Sequence, residues 1–228
     1  IIHGGTTTVA RVRGSGVIRN CTVENEGQSG RIFGIVSTGS TLIQDDSVVM
    51  TGEGDYGIYH TGGAPQILDC EVSVADGQGI RVDCPSPTTT GSVAGCSVTM
   101  DTGRAFQLLT GQYAVSGATA DFETADYYNV GFNCGTSVGY ARFTLENSFA
   151  SVPSGAGVYI YDDSVKVHNI TVDNVGTGIV CHNLAMSDEL VFINQKAVKP
   201  YRAACMDFTG ADSDFSAETI SESVTKAG

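Results

Sequence analysis

The stretch GIYHTGGAPQILDCEVSVADGQGIRVD, residues 57–83, decides the fold. It opens on Gly57-Ile58, passes through Cys70-Glu71-Val72 and returns to a second Gly-Ile pair at Gly79-Ile80. In Cys70-Glu71-Val72 one polar residue separates two that can point inward, the mark of a strand with one buried face. The run Thr61-Gly62-Gly63-Ala64-Pro65 supplies the turn chemistry between the strands. Two short strands, a turn and a return to the starting motif describe one coil of a solenoid.

Both units recur along the chain. The first reads Cys21-Thr22-Val23, Asp46-Ser47-Val48, Cys70-Glu71-Val72, Cys96-Ser97-Val98, Ala118-Thr119-Ala120, Phe143-Thr144-Leu145, Ile170-Thr171-Val172 and Val191-Phe192-Ile193. Its last residues lie 25, 24, 26, 22, 25, 27 and 21 apart. The second reads Gly34-Ile35, Gly57-Ile58, Gly79-Ile80, Ala105-Phe106, Gly131-Phe132, Gly157-Val158 and Gly178-Ile179, with a weak eighth copy at Ala203-Ala204.

The two units keep different intervals. From the second to the next first unit the distance is 13 or 14 residues in six of seven cases, and 18 once, across Cys84-Pro85-Ser86-Pro87-Thr88. The reverse distance varies from 7 to 13. A packed strand-turn-strand segment holds its length, because one slipped residue turns its side chains inside out. A solvent-facing loop does not.

This coil pattern, over roughly residues 17–206, resembles the pectin-lyase-like superfamily of pectate lyases, polygalacturonases and viral tailspikes. The resemblance lies in the coils and not in a catalytic motif. It implies an all-β fold, a right-handed single-stranded parallel β-helix of about eight coils, about 40 Å long at the ordinary inter-strand spacing. Residues 1–210 are expected to form the helix, with 1–16 a partial first coil. Residues 211–228 read as an acidic C-terminal tail or cap. There Ser216 as N-cap predicts a short helix to Val224, with Phe215, Ile220 and Val224 on its apolar side. The superfamily's Asn ladder is expected at Asn25, Asn147 and Asn174, two residues beyond a Val-type position.

Composition agrees with short strands and tight turns: 29 Gly, 5 Pro and no Trp. With 25 Asp and Glu against 12 Lys and Arg the net charge is −13, which repels phosphate backbones and argues against a nucleic-acid partner. Abundant Asp with scarce Lys resembles the proteins of salt-loving archaea and their viruses. No apolar run approaches the ~20 residues of a membrane span. A chain beginning at Ile1 without a signal peptide reads as a processed or excised piece of something larger. The seven Cys contain no CxxC pair and the four His no metal spacing, so neither a metal nor a cofactor is indicated. Cys21, Cys70 and Cys96 share one inward column, and Cys134 and Cys181 another, as mostly reduced packing residues. Asp46 breaks the first column and predicts a local bulge.

Stacking turns distant residues into vertical neighbours. The outward column after each Gly-apolar pair reads Val36, Tyr59, Arg81, Gln107, Asn133, Tyr159 and Val180. Two residues on come Thr38, Thr61, Asp83, Leu109, Gly135, Tyr161 and His182. Tyr59, Tyr159 and Tyr161 offer flat platforms, and Arg81, Asp83, Gln107 and Asn133 offer hydrogen-bonding groups, the combination that binds sugars. Segments 121–131 and 146–156 read as long loops of adjacent coils, walling one edge. Outward acids share columns at Asp45 with Asp69 and at Asp121 with Glu146 and Asp173, but an acidic chain places such pairs by chance. Asn20-Cys21-Thr22 and Asn169-Ile170-Thr171 match the glycosylation sequon within one outward column.

The expectation is an extracellular, carbohydrate-recognising module of a viral spike, tail fibre or cell-surface protein, with a cell-surface glycan as partner. The rivals are a polysaccharide lyase or glycoside hydrolase, and a spacer without a ligand. Resemblance to the spikes also implies a homotrimer or a larger virion or surface assembly.

Overall fold

A computed structural model describes residues 2–3, 8–26, 31–84, 86, 88–135, 141–161, 164–173, 177–182, 189–193, 195–198, 202–207, 214–217 and 220–223. They form a parallel β-solenoid, all strand and turn among the described residues. Among the described residues no helix is long and apolar enough to cross a membrane.

Each coil contributes to three columns of strands. Column one holds Thr22–Asn25, Ser47–Met50 and their successors, and column two Phe33–Thr38 and Asp55–Thr61 with theirs. Column three begins with Val17–Arg19, Leu42–Gln44 and Gln66–Leu68. Columns one and two make one 17-stranded sheet, and column three a nine-stranded one. That count slightly exceeds the eight coils read from the sequence, because Asp214–Ala217 adds a rung beyond residue 206. In the middle of the rod the link between columns one and two is so short that they fuse, giving Glu71–Asp83 and Ser97–Leu108.

Column two keeps the register that the sequence implies. Ile35, Ile58, Ile80, Phe106, Phe132, Val158, Ile179 and Ala204 pair rung by rung, with Ala10 below them. Those described in side-chain detail are buried, and Phe106 stacks on Phe132 at 4.9 Å. Column one runs Val23, Val48, Val72, Val98, Ala120, Ala150 and Val172. Leu145 and Ile193, taken from the sequence as members of this column, belong to column three, paired with Val115 and His168. Both columns alternate with one buried face, so alternation alone does not separate them, and Ala150 is too small to announce itself. The coil crossed between Ala118 and Ser148 is therefore 30 residues long. Consequently 146–156 is not a loop: it holds Asn147, the strand Phe149–Ser151 and a corner. The added length is divided between the loop at 123–129 and the stretch between Val130–Gly135 and Ala141–Glu146.

Packing explains the Gly of the second unit. A Cβ on Gly57 would stand 2.3 Å from Val72 Cγ1 and 2.7 Å from the Gly79 carbonyl oxygen. Gly34, Gly79 and Gly157 would meet Val48, Val98 and Val172 in the same way. Where the unit carries Ala105, the residue at the same offset in the next coil is Ala120. Small and branched side chains are exchanged between columns, keeping the core at close packing.

The turn from column three to column one has its own ladder. Asn20, Asp45, Asp69, Gly95, Gly117, Asn147 and Asn169 all adopt positive φ, between 50° and 64°. This left-handed conformation costs most side chains about 1–2 kcal/mol and is open to Gly, Asn and Asp. Backbone hydrogen bonds continue through it, with Asp45 N–H donating to Leu68 O and Asp69 N–H to Ala94 O. Of the expected Asn25, Asn147 and Asn174, Asn147 stands on this ladder. Asn25 is buried in column one opposite Met50, and Asn174 lies outside the described residues.

The next position inward runs Cys21, Asp46, Cys70, Cys96, Ala118, Ser148 and Ile170. The thiols of Cys21, Cys70 and Cys96 and the Ser148 hydroxyl each donate to the carbonyl two residues earlier. Asp46 causes no bulge there. Ser47 N–H bonds Cys21 O and Glu71 N–H bonds Asp46 O, so the ladder is unbroken. Asp46 is buried, its Oδ1 accepts the Cys21 N–H at 2.8 Å, and its Oδ2 has no partner. Burial raises its pKa above the ordinary carboxylate value. Cys21, Cys70, Cys84, Cys96 and Cys134 are free thiols.

The C-terminal segment departs from the helix expected at Ser216. Asp214–Ala217 and Ile220–Ser223 are strands, paired with Glu189–Ile193 and Gln195–Val198. The alternation Phe215-Ser216-Ala217 fits the open edge of the preceding rung, and tertiary pairing overrides the weak helical signal of a capped polar segment.

Candidate functional site

The outward face of column two brings most of the sequence-derived site residues together. Tyr59, Arg81, Gln107, Asn133 and Tyr159 occupy five successive rungs, paired directly, with Val36 below and Val180 above. At the inter-strand spacing they span about 20 Å. Asp83 is paired with Thr61, and Tyr161 with Gly135 and His182. The side chain of Tyr161 lies outside the described residues.

For an outward column, these rungs are unusually enclosed. Gln107 is 7% and Asn133 9% exposed, while Tyr59 and Tyr159 are half-buried. Arg81 makes a loose ion pair with Asp83 at 3.5 Å, donates to Gln78 Oε1 at 3.2 Å, and lies over the Tyr59 and Tyr56 rings at 5.6 and 5.7 Å. On this face two buried polar atoms have no partner among the described residues: Arg81 Nε, a donor, and Gln107 Oε1, an acceptor on the adjoining rung. Leaving such groups buried and unmatched costs about 1–3 kcal/mol each. A hydroxyl group is the kind of partner that can both accept from a donor and donate to an acceptor.

The sequence reading missed one file of residues on this face. Phe33, Tyr56, Gln78, Arg104 and Val130 pair across rungs at the position before each Gly-apolar unit. Tyr56 stacks on Phe33 at 4.8 Å and meets Tyr59 at 5.8 Å, so this file shares the side on which Tyr59 stands. Strict alternation hides it, because Gly57 and Ile58 both turn inward. The signal was the residue immediately preceding each Gly. Arg11 and Arg13, paired with Val36 and Thr38, extend the face one rung downward.

Other groupings separate. Asp121 and Asp173 share column one with Ser151 between them, whereas Glu146 stands in column three between Ser116 and His168. Asp45 and Asp69 are adjacent, on two left-handed turns. Asn20 and Asn169 share that turn column and are exposed. The loop at 123–129 carries Tyr127 and Tyr128, about 80% exposed and edge-to-face at 5.6 Å. Ser37 Oγ and His60 Nδ1 lie 2.8 Å apart, a geometry reminiscent of a nucleophile and its base. Both are sealed in the core with no exposed surface, and burial lowers the His60 pKa and keeps the ring neutral. This pair joins neighbouring coils.

Comparison with protein-family models, with curated proteins and with solved structures finds no match for this chain.

Proposed function

We propose that the chain is a carbohydrate-recognising β-solenoid module, working at the surface of a virion or cell, and that column two's outward face holds the glycan. The observation that carries this reading is the outward file itself, with Arg81, Gln107 and Asn133 on successive rungs between the half-buried rings of Tyr59 and Tyr159. Sugars present hydroxyls that accept and donate together, and C–H faces that pack on Tyr59 and Tyr159. The repeating coil supports kinship with the pectin-lyase-like proteins, and the rod shape suits a spike or fibre, in which several copies associate.

A glycan array probed with the whole chain tests the reading. Binding is expected, and Tyr59→Ala with Tyr159→Ala, or Gln107→Leu alone, should weaken it at least tenfold while leaving the melting temperature within a few degrees. Retained binding in both variants would reject this face.

A further inference from the structure

The charge on this face runs against that of the molecule. The chain is acidic overall, yet five of its eight arginines, Arg11, Arg13, Arg31, Arg81 and Arg104, fall on or beside column two in the first five rungs. Arg11 and Arg13 stand in the two outward files, below Val36 and Thr38. Arg31 lies over the Tyr56 ring at 5.4 Å, and Arg104 is paired with Gln78 in the same file. Arg11, Arg13, Arg31 and Arg104 are exposed, and among the described residues none of the four makes an ion pair. Asp83 is the acid that shares the two outward files here, and it is taken up by Arg81. Over the next three rungs the file of Tyr59 and Arg81 is uncharged: Gln107, Asn133 and Tyr159.

We infer that the face has two unlike halves, and that the arginine half is a subsite for the anionic group of an acidic saccharide, a carboxylate or a sulfate. The inference rests on the carbohydrate reading given above and deepens it. Guanidinium groups fit both anions through paired N–H donors, and stack on aromatic rings while doing so. Concentrating positive charge on one face of an acidic molecule attracts anionic ligands there and repels them elsewhere. The ligand therefore lies along the rod with its charged unit over Arg11, Arg13, Arg31 and Arg81. Its uncharged units rest on Gln107, Asn133 and Tyr159.

Equilibrium binding to four probes tests this: a uronic-acid oligosaccharide, a sulfated one, an uncharged one of equal length, and single-stranded DNA. The chain is compared with an Arg11→Ser, Arg13→Ser, Arg31→Ser variant, whose changes are all at exposed positions. The expected result is at least tenfold preference for one or both acidic saccharides, weakening with salt. That preference is lost in the variant, while affinity for the uncharged probe stays within twofold. Preference for the carboxylated or the sulfated probe then names the anion. Equal binding of charged and uncharged saccharides, or a variant that keeps the preference, overturns the subsite and leaves the carbohydrate reading standing. DNA bound as tightly as the acidic saccharide overturns it too, by showing a general polyanion surface. Absence of binding to every saccharide overturns both.

Discussion

Two ladders of this solenoid are built by the same repetition and have opposite character. At the turn between columns three and one, rung after rung carries Asn, Asp or Gly at positive φ. On the outward face of column two no two successive rungs repeat: Tyr59, Arg81, Gln107, Asn133, Tyr159. The backbone dictates the first ladder, since other side chains are strained there. It dictates nothing on the second, where any outward residue satisfies the sheet. Uniformity marks a ladder that serves folding, and variety leaves room for recognition.

The widest separation of the two roles should come from the Gly column that packs against column one. Gly57→Ala drives a methyl group against Val72 and the Gly79 carbonyl, and should cost about 1–3 kcal/mol in denaturant unfolding. Adding Val72→Ala should recover part of that loss, following the natural pair Ala105 and Ala120, so that the two changes are not additive. In the turn ladder, Asp45→Val should cost about 1–2 kcal/mol and Asp45→Gly only a few tenths. Equal costs would deny that left-handed geometry selects the ladder.

Asp46 sharpens the comparison through pH. Its pKa is raised in the folded chain, so the protonated acid is the form the fold favours. The stabilisation is complete below the unfolded value near 3.8 and is lost as pH rises through the higher folded one. Asp46→Asn keeps the acceptor for Cys21 N–H and carries no charge. The variant should be more stable than the parent at pH 7, by about 1 kcal/mol, with the gap closing as pH falls toward 4. A gap that widens on acidification would contradict the assignment. The smallest stability effect belongs to the face: Tyr59→Ala with Tyr159→Ala should shift unfolding by about 1 kcal/mol or less, since both rings are only half-buried.

Much of this was legible in the sequence. The Gly-apolar unit fixed column two at every copy because the missing side chain and the large neighbour together leave one arrangement. Column one was misread at Leu145 and Ile193, because both sheets write the same alternation and Ala150 carries almost no signal. The short helix expected at Ser216 failed because cap chemistry is local, whereas an open sheet edge is created by residues far away in the chain. On the face, the rungs from Tyr59 to Tyr159 followed from counting. Phe33, Tyr56 and Arg104 did not, since the bend at each Gly breaks the two-residue period on which the counting relied.

The most direct measurement of the account is the affinity of the chain for one saccharide series of increasing length. If five rungs form one continuous platform, affinity rises with each added sugar until the ligand spans about 20 Å, and then levels off. Tyr159→Ala should then weaken long ligands and leave short ones bound at the Tyr59 end unchanged. Affinity independent of length, or a Tyr159→Ala effect equal for the shortest and longest ligands, would contradict the platform.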